Sequence, residues 1–199
     1  VWGGFLASAL PELTLKTGCV DIISFGEGEY TWHELLDALE NNRTLDTVKG
    51  LIYAGENGQL IRTPERELID LAALPPINFD LMDLEYYFFS YYSCKKAANL
   101  YASKGCPGRC TFCYNTFFNR NCHRTRPPEH VIGELRYLVD KYGIDGVFFN
   151  DDSMFGSKEE AYVFCRTITD AGLDLKWGCF SIIGLLGKDE LQYMYDAGC

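Results

Sequence analysis

Residues 105–114 read GCPGRCTFCY, and the rest of the chain is best understood outward from this stretch. It sets Cys106, Cys110 and Cys113 at C-x3-C-x2-C spacing, with the aromatic Phe112 directly before the last thiol. Three thiolates this close can wrap one face of a [4Fe–4S] cube, because such clusters are held by cysteine sulfur. A fourth thiolate would close the cube, whereas three leave one iron open to a substrate or cofactor. Zinc is the competing reading, with Cys122 or His123 completing a tetrahedral site. Zinc loops, however, more often use two C-x2-C pairs.

Composition narrows the classes. A chain of 199 residues suffices for one full domain or two partial ones, and 47% hydrophobic residues is ordinary for a globular protein. The net charge of −10, with no long basic run, argues against a general nucleic-acid or membrane surface. No apolar stretch is long enough to span a bilayer. The opening VWGGFLASAL lacks the basic start of a signal peptide. Nine cysteines without a secretory signal disfavour a disulfide framework and suit a reducing cytoplasm. Outside the loop, Cys19, Cys94, Cys122, Cys165, Cys179 and Cys199 follow no ligand spacing and are expected as small buried hydrophobes. The chain lacks an initiating Met and ends on DAGC after a helical pattern, so it reads as a piece of a longer protein.

The fold class expected is α/β. Residues 1–5 (VWGGF) read as the end of a buried strand entering a glycine turn, and Val20–Phe25 as a second strand leading to Gly26, Glu27, Gly28 and Glu29. Thr31 and Glu34 make a capping box for a helix with Leu35, Leu36 and Leu39 inside. Residues 50–63 predict a hairpin turning at Asn57–Gly58. Residues 64–98 form a connector, whose aromatics (Tyr86, Tyr87, Phe88, Phe89, Tyr91, Tyr92) either pack between domains or line a channel.

A β/α rhythm starts at residue 99. Strand 99–103 delivers the cysteine loop, and Pro127–Pro128 open a helix that Gly143 ends. Strand 144–149 delivers Asn150, Asp151 and Asp152. A Ser157/Glu160 box starts the next helix, which ends near Gly172; residues 173–181 hold a third strand and 188–197 a third helix. Such alternation implies parallel strands, with functional residues at their carboxyl ends.

The CPGRCTFC run and its flanks, YASKGCPGRCTFCYN, resemble the radical S-adenosylmethionine (SAM) superfamily, in the branch with an upstream cobalamin-binding domain. That branch usually leads in with Ser-Arg-Gly-Cys-Pro, where this chain has Lys104 for the arginine. The resemblance implies the C-terminal part of a doubly wound cobalamin-binding domain (1–63), the connector (64–98), and the first half of a partial (β/α)6 barrel (99–199). It implies that Cys106, Cys110 and Cys113 hold a [4Fe–4S] cluster whose open iron binds SAM. Reductive cleavage of SAM would then give a 5′-deoxyadenosyl radical, with a flavodoxin or ferredoxin as reductant and a small molecule as substrate. Phe112 would pack near the adenine, or simply under the loop. Asp151 and Asp152 would meet the SAM amino group, although NDDSMF has one residue more than the family's Asp-Asp-x-Phe. The alternatives are solvated loop charges or a helix cap. Gly3, Gly4, Gly26, Glu27 and Gly28 match turns that line the cobalamin tail pocket, though Phe5 and Leu6 replace the usual Pro-His. Taken alone these would be plain tight turns.

Overall fold

The computed structural model describes residues 1–199 and divides into two compact units. One is Val1–Ile69 with Thr116–Asn119; the other is Asp70–Asn115 with Arg120–Cys199.

The first unit is built on a four-stranded sheet in the order β1 (Trp2–Gly3), β2 (Ile22–Ser24), β3 (Leu51–Ala54), β4 (Leu60–Arg62). β1 and β2 are parallel and joined through two short helices, α1 (Gly4–Ala9) and α2 (Pro11–Lys16). β3 and β4 form the expected antiparallel hairpin, and Gly58 takes the left-handed conformation (φ 75°) in its turn. Two features differ from expectation. Trp2 is half exposed because β1 lies at the sheet edge. The helix α3 (Glu29–Glu40) starts before Thr31, so no Thr31/Glu34 box forms. Thr31 is instead fully buried, donating to the Lys49 carbonyl (3.1 Å) and accepting from Arg66 Nε (3.0 Å), while Glu34 pairs with Arg66. Tertiary partners have outcompeted the local cap. The helix therefore buries Thr31, Leu35 and Ala38, and leaves Leu36 and Leu39 largely exposed.

In the second unit β5 (Phe89–Tyr91) pairs antiparallel with β6 (Cys94–Leu100). A small ribbon of β7 (Ser103–Lys104) and β8 (Arg124–Thr125) brackets the cysteine loop and a one-turn helix, α4 (Asn115–Phe118). Then come α5 (Pro128–Tyr142), β9 (Gly146–Phe149), α6 (Lys158–Asp170), β10 (Lys176–Cys179) and α7 (Lys188–Asp196). The main sheet runs β10-β9-β6-β5, and β6, β9 and β10 are parallel. Proline at the start of α5 and left-handed Gly143 (φ 64°) at its end act as the sequence suggests. At α6, Ser157 Oγ accepts from the Glu160 N–H (3.2 Å), but the Glu160 carboxylate takes the Gly156 N–H (2.7 Å), so only half of the reciprocal box forms.

Helix and sheet faces meet in one core around Leu100, Leu135, Leu138, Val147 and Phe149, with Phe149 edge-on to Phe164 and Trp177 at 5.5 and 6.3 Å. The first parallel strand starts and ends earlier than expected. Past Leu100 the N–H groups of Ala102 and Ser103 turn to the Asp151 carboxylate rather than to a neighbouring strand. Of the cysteines outside the loop only Cys94 and Cys165 are buried; Cys179 is intermediate, and Cys19, Cys122 and Cys199 are exposed. Among the connector aromatics, Phe88 packs on Tyr142 and Tyr91 on Phe148, whereas Tyr86, Tyr87 and Tyr92 are exposed. No helix is long and apolar enough to cross a membrane.

Candidate active site

The cysteine loop leaves the carboxyl end of the parallel sheet through β7. Gly105 makes the entry turn in the left-handed region (φ 81°). The backbone of Cys106 is then gripped by one side chain: its N–H donates to Asn115 Oδ1 (3.0 Å), and its carbonyl accepts from Asn115 Nδ2 (2.6 Å). The Gly108 N–H donates to Cys106 Sγ at 3.4 Å, and the Cys113 N–H donates to the Cys110 carbonyl at 3.0 Å. Burial pushes the Cys106 thiol above its ordinary value, with the Gly108 N–H opposing. Cys106 and Cys113 are half-buried and Cys110 is exposed.

No three His, Cys, Asp or Glu side chains converge as a ready-made metal site. What suits an iron–sulfur cluster is the donor set: three free thiols on one short loop, one of them already receiving a backbone N–H. The fourth-ligand candidates for zinc are engaged elsewhere. His123 Nε2 lies 2.9 Å from the Ser153 carbonyl and its Nδ1 3.5 Å from Glu160, and the Cys122 thiol points to the Arg120 carbonyl.

The two carboxylates after β9 have different surroundings. Asp151 is 2% exposed and accepts from the Ala102 N–H (3.0 Å), the Ser103 N–H and the Ser103 hydroxyl. Burial raises its pKa against these bonds. Its carboxylate thus ties the loop after β9 to the base of the cysteine loop, and it is not a solvated charge. Asp152 is exposed and accepts from the hydroxyl of Tyr114, the residue after Cys113. Burial, then that carboxylate, raise the Tyr114 pKa. Phe112 is 91% exposed, which rules out packing under the loop. The structure therefore brings Asp152 and Tyr114 to the cysteine loop and commits Asp151 to the backbone. Sequence reading singled out neither Tyr114 nor Asn115, since an aromatic and an amide before a helix carry no distinguishing pattern.

In the first unit Gly3, Gly4, Gly26 and Gly28 line a groove of about 370 Å³ together with Ser24 and Trp32. Gly4 (φ 86°) and Gly26 (φ 73°) need the left-handed conformation. Ser8 Oγ stitches the two turns, donating to the Gly4 carbonyl (2.8 Å) and accepting from the Gly26 N–H (3.2 Å). Ser24 Oγ is buried without a partner, and a Cβ on Gly28 would come within 3.6 Å of it. An orphaned hydroxyl in a glycine cradle fits a ligand that approaches the backbone closely. Glu27 does not belong to this cradle; it is buried, and its carboxylate accepts from the Ile69 N–H at 2.7 Å.

No family model matches the chain. Over 100% of its length it is 33% identical to an uncharacterized methyltransferase of Pyrococcus horikoshii, covering 43% of that protein. It is 27% identical to the cytidylyl-2-hydroxyethylphosphonate methyltransferase of Streptomyces wedmorensis (98% of this chain, 42% of the relative). It is 26% identical to the anaerobic magnesium-protoporphyrin IX monomethyl ester cyclase of Rubrivivax gelatinosus (90% and 33%). The chain thus spans less than half the length of these relatives. Its fold matches the cobalamin-dependent SAM radical enzyme OxsB, solved with aqua-cobalamin and SAM bound, at a TM-score of 0.77 and 20% identity over 99% of this chain and 29% of that one. The radical SAM methyltransferase TsrM of Kitasatospora setae matches at 0.77 and 20% over 99% and 39%. A glycine-turn α/β unit and a parallel β/α unit with a three-cysteine loop define a radical SAM architecture of the kind that carries a cobalamin-binding domain. The chain belongs to the cobalamin-dependent branch of the radical SAM superfamily, of which it spans the C-terminal part of the cobalamin-binding domain and the first half of the barrel.

Proposed function

We propose that the whole protein is a radical SAM enzyme acting on an unactivated carbon of a small-molecule substrate, by methyl transfer or by oxidative cyclisation or rearrangement. One observation carries this reading: three free thiols share a loop at the carboxyl end of a parallel sheet, in a chain whose relatives are named methyltransferases and cyclases. Cys106, Cys110 and Cys113 would hold a [4Fe–4S] cluster, which when reduced supplies the electron that cleaves SAM. Asp152, oriented by Tyr114, offers a carboxylate to the cationic amino group of SAM, while Asp151 holds the loop base. Phe112 presents an exposed ring to the adenine. Gly3, Gly4, Gly26, Gly28 and the Ser24 hydroxyl would cradle part of a cobalamin. The electron would come from a flavodoxin or ferredoxin in the cytoplasm.

The test is anaerobic reconstitution with iron and sulfide, followed by electron paramagnetic resonance of the reduced protein with and without SAM. A [4Fe–4S]+ signal that moves on adding SAM and is lost in the triple Cys106→Ala, Cys110→Ala, Cys113→Ala variant is the expected result. Stoichiometric zinc in place of iron would overturn the reading and make the loop structural.

A further inference from the structure

We propose that Asn115 is the positioning residue of the cysteine loop, presetting the first and last thiols for the cluster by holding the backbone of Cys106 on both sides. The inference rests on the cluster reading above.

The loop has little to hold its shape. Cys110 is exposed and Gly108 brings no side chain; the internal bonds are the Cys113 N–H to the Cys110 carbonyl and the Gly108 N–H to Cys106 Sγ. Asn115 supplies the missing cross-brace. Its side chain is 1% exposed, and its amide pairs acceptor to N–H and donor to carbonyl at the single residue Cys106, like one rung of a β-ladder. Because Asn115 lies two residues after Cys113, this rung closes the chain from the first cysteine to the last into a ring. Cys106 and Cys113 are thereby kept near each other before any metal arrives, and Cys110 is left free to close on it. The Asp151 bonds grip Ala102 and Ser103, outside the ring, and cannot substitute for the rung.

The chemistry demands an amide of this length. Aspartate keeps the acceptor but loses the donor and sets a charge against the Cys106 carbonyl. Alanine leaves both backbone groups unpaired. Glutamine retains both functions on a longer arm.

The experiment compares wild type with Asn115→Ala, Asn115→Asp and Asn115→Gln in the full chain, reconstituted anaerobically with iron and sulfide. Three quantities are read: iron bound per chain, the rate of iron loss to a chelator, and the paramagnetic spectrum of the reduced protein. Thermal unfolding of the metal-free chains reports the fold. Loss of two backbone bonds should speed iron release about tenfold or more in the Ala and Asp variants. Their spectra should shift or broaden, whereas Gln should recover part of the retention. Ala and Asp variants that hold iron at the wild-type rate with the wild-type spectrum would overturn the inference alone. If the Ala variant does not fold, Gln against Asp decides, and a Gln variant no better than Asp overturns it equally. A wild-type chain that takes up no cluster would remove the cluster reading and this inference with it.

Discussion

Single side chains at the site divide into those that meet solvent and those that hold backbone. Phe112 is of the first kind, and its exposed ring makes a clean test. Phe112→Ala should leave thermal stability unchanged while weakening SAM binding to the cluster-loaded protein several-fold, the scale of one aromatic contact of about 1 kcal/mol. Equilibrium titration with SAM measures it, and unaltered affinity would remove the ring from the site. Glu134 is of the second kind. It is buried, takes a forked pair of bonds from Arg126, and also accepts the Ile77 N–H at 3.0 Å. Removing one member of a buried pair strands the other, so Glu134→Ala should cost about 3–5 kcal/mol in denaturant unfolding. The cysteine spacing was legible because cluster chemistry restricts residue type and separation together. The clamps by Asp151, Glu134 and Asn115 were not, because each joins a common polar residue to backbone and leaves no periodicity.

At the scale of elements, the β/α alternation of the second unit was readable from proline, glycine and serine at helix ends. Their conformational preferences are local and survive any tertiary context. α3 was not readable in the same way, since its face was chosen by Arg66 and the Lys49 carbonyl, remote in sequence. The last helix makes a pH prediction. Glu190 on α7 accepts from Lys158 Nζ (3.0 Å), the Gly187 N–H (2.7 Å) and the Tyr162 hydroxyl (3.2 Å), and these hold its pKa below the ordinary glutamate value, the Lys158 bond first. A carboxylate with a depressed folded pKa contributes stability that is full above its unfolded pKa and lost as pH falls through the folded one. Docking of α7 on α6 should therefore loosen below the ordinary glutamate range. Amide exchange in residues 188–196 should accelerate there in wild type, and Glu190→Gln should flatten that dependence. Within the sheet, a Cβ on Gly146 would lie 2.6 Å from Cys94 Sγ and 2.8 Å from its Cβ. Gly146→Ala should thus cost about 1–3 kcal/mol from overpacking, measured by chemical unfolding.

At the scale of the molecule, the second unit presents β10 at the margin of a parallel sheet. Apart from the Trp177 N–H to the Gly198 carbonyl (3.1 Å), no strand of residues 1–199 runs along that side. The adjoining turn exposes Phe180 by 55% and Ile183 fully. A strand margin beside apolar side chains is a template for pairing with another chain. The margin carries a single lysine, Lys176, and no proline, which are the usual protections. Residues 1–199 produced alone should therefore self-associate as concentration rises, followed by size exclusion with light scattering. Phe180→Lys should reduce the association, because a charge beside the edge opposes sheet continuation. A chain that stays monomeric throughout and unfolds in one cooperative step would show that β10 is covered by more than the Gly198 contact.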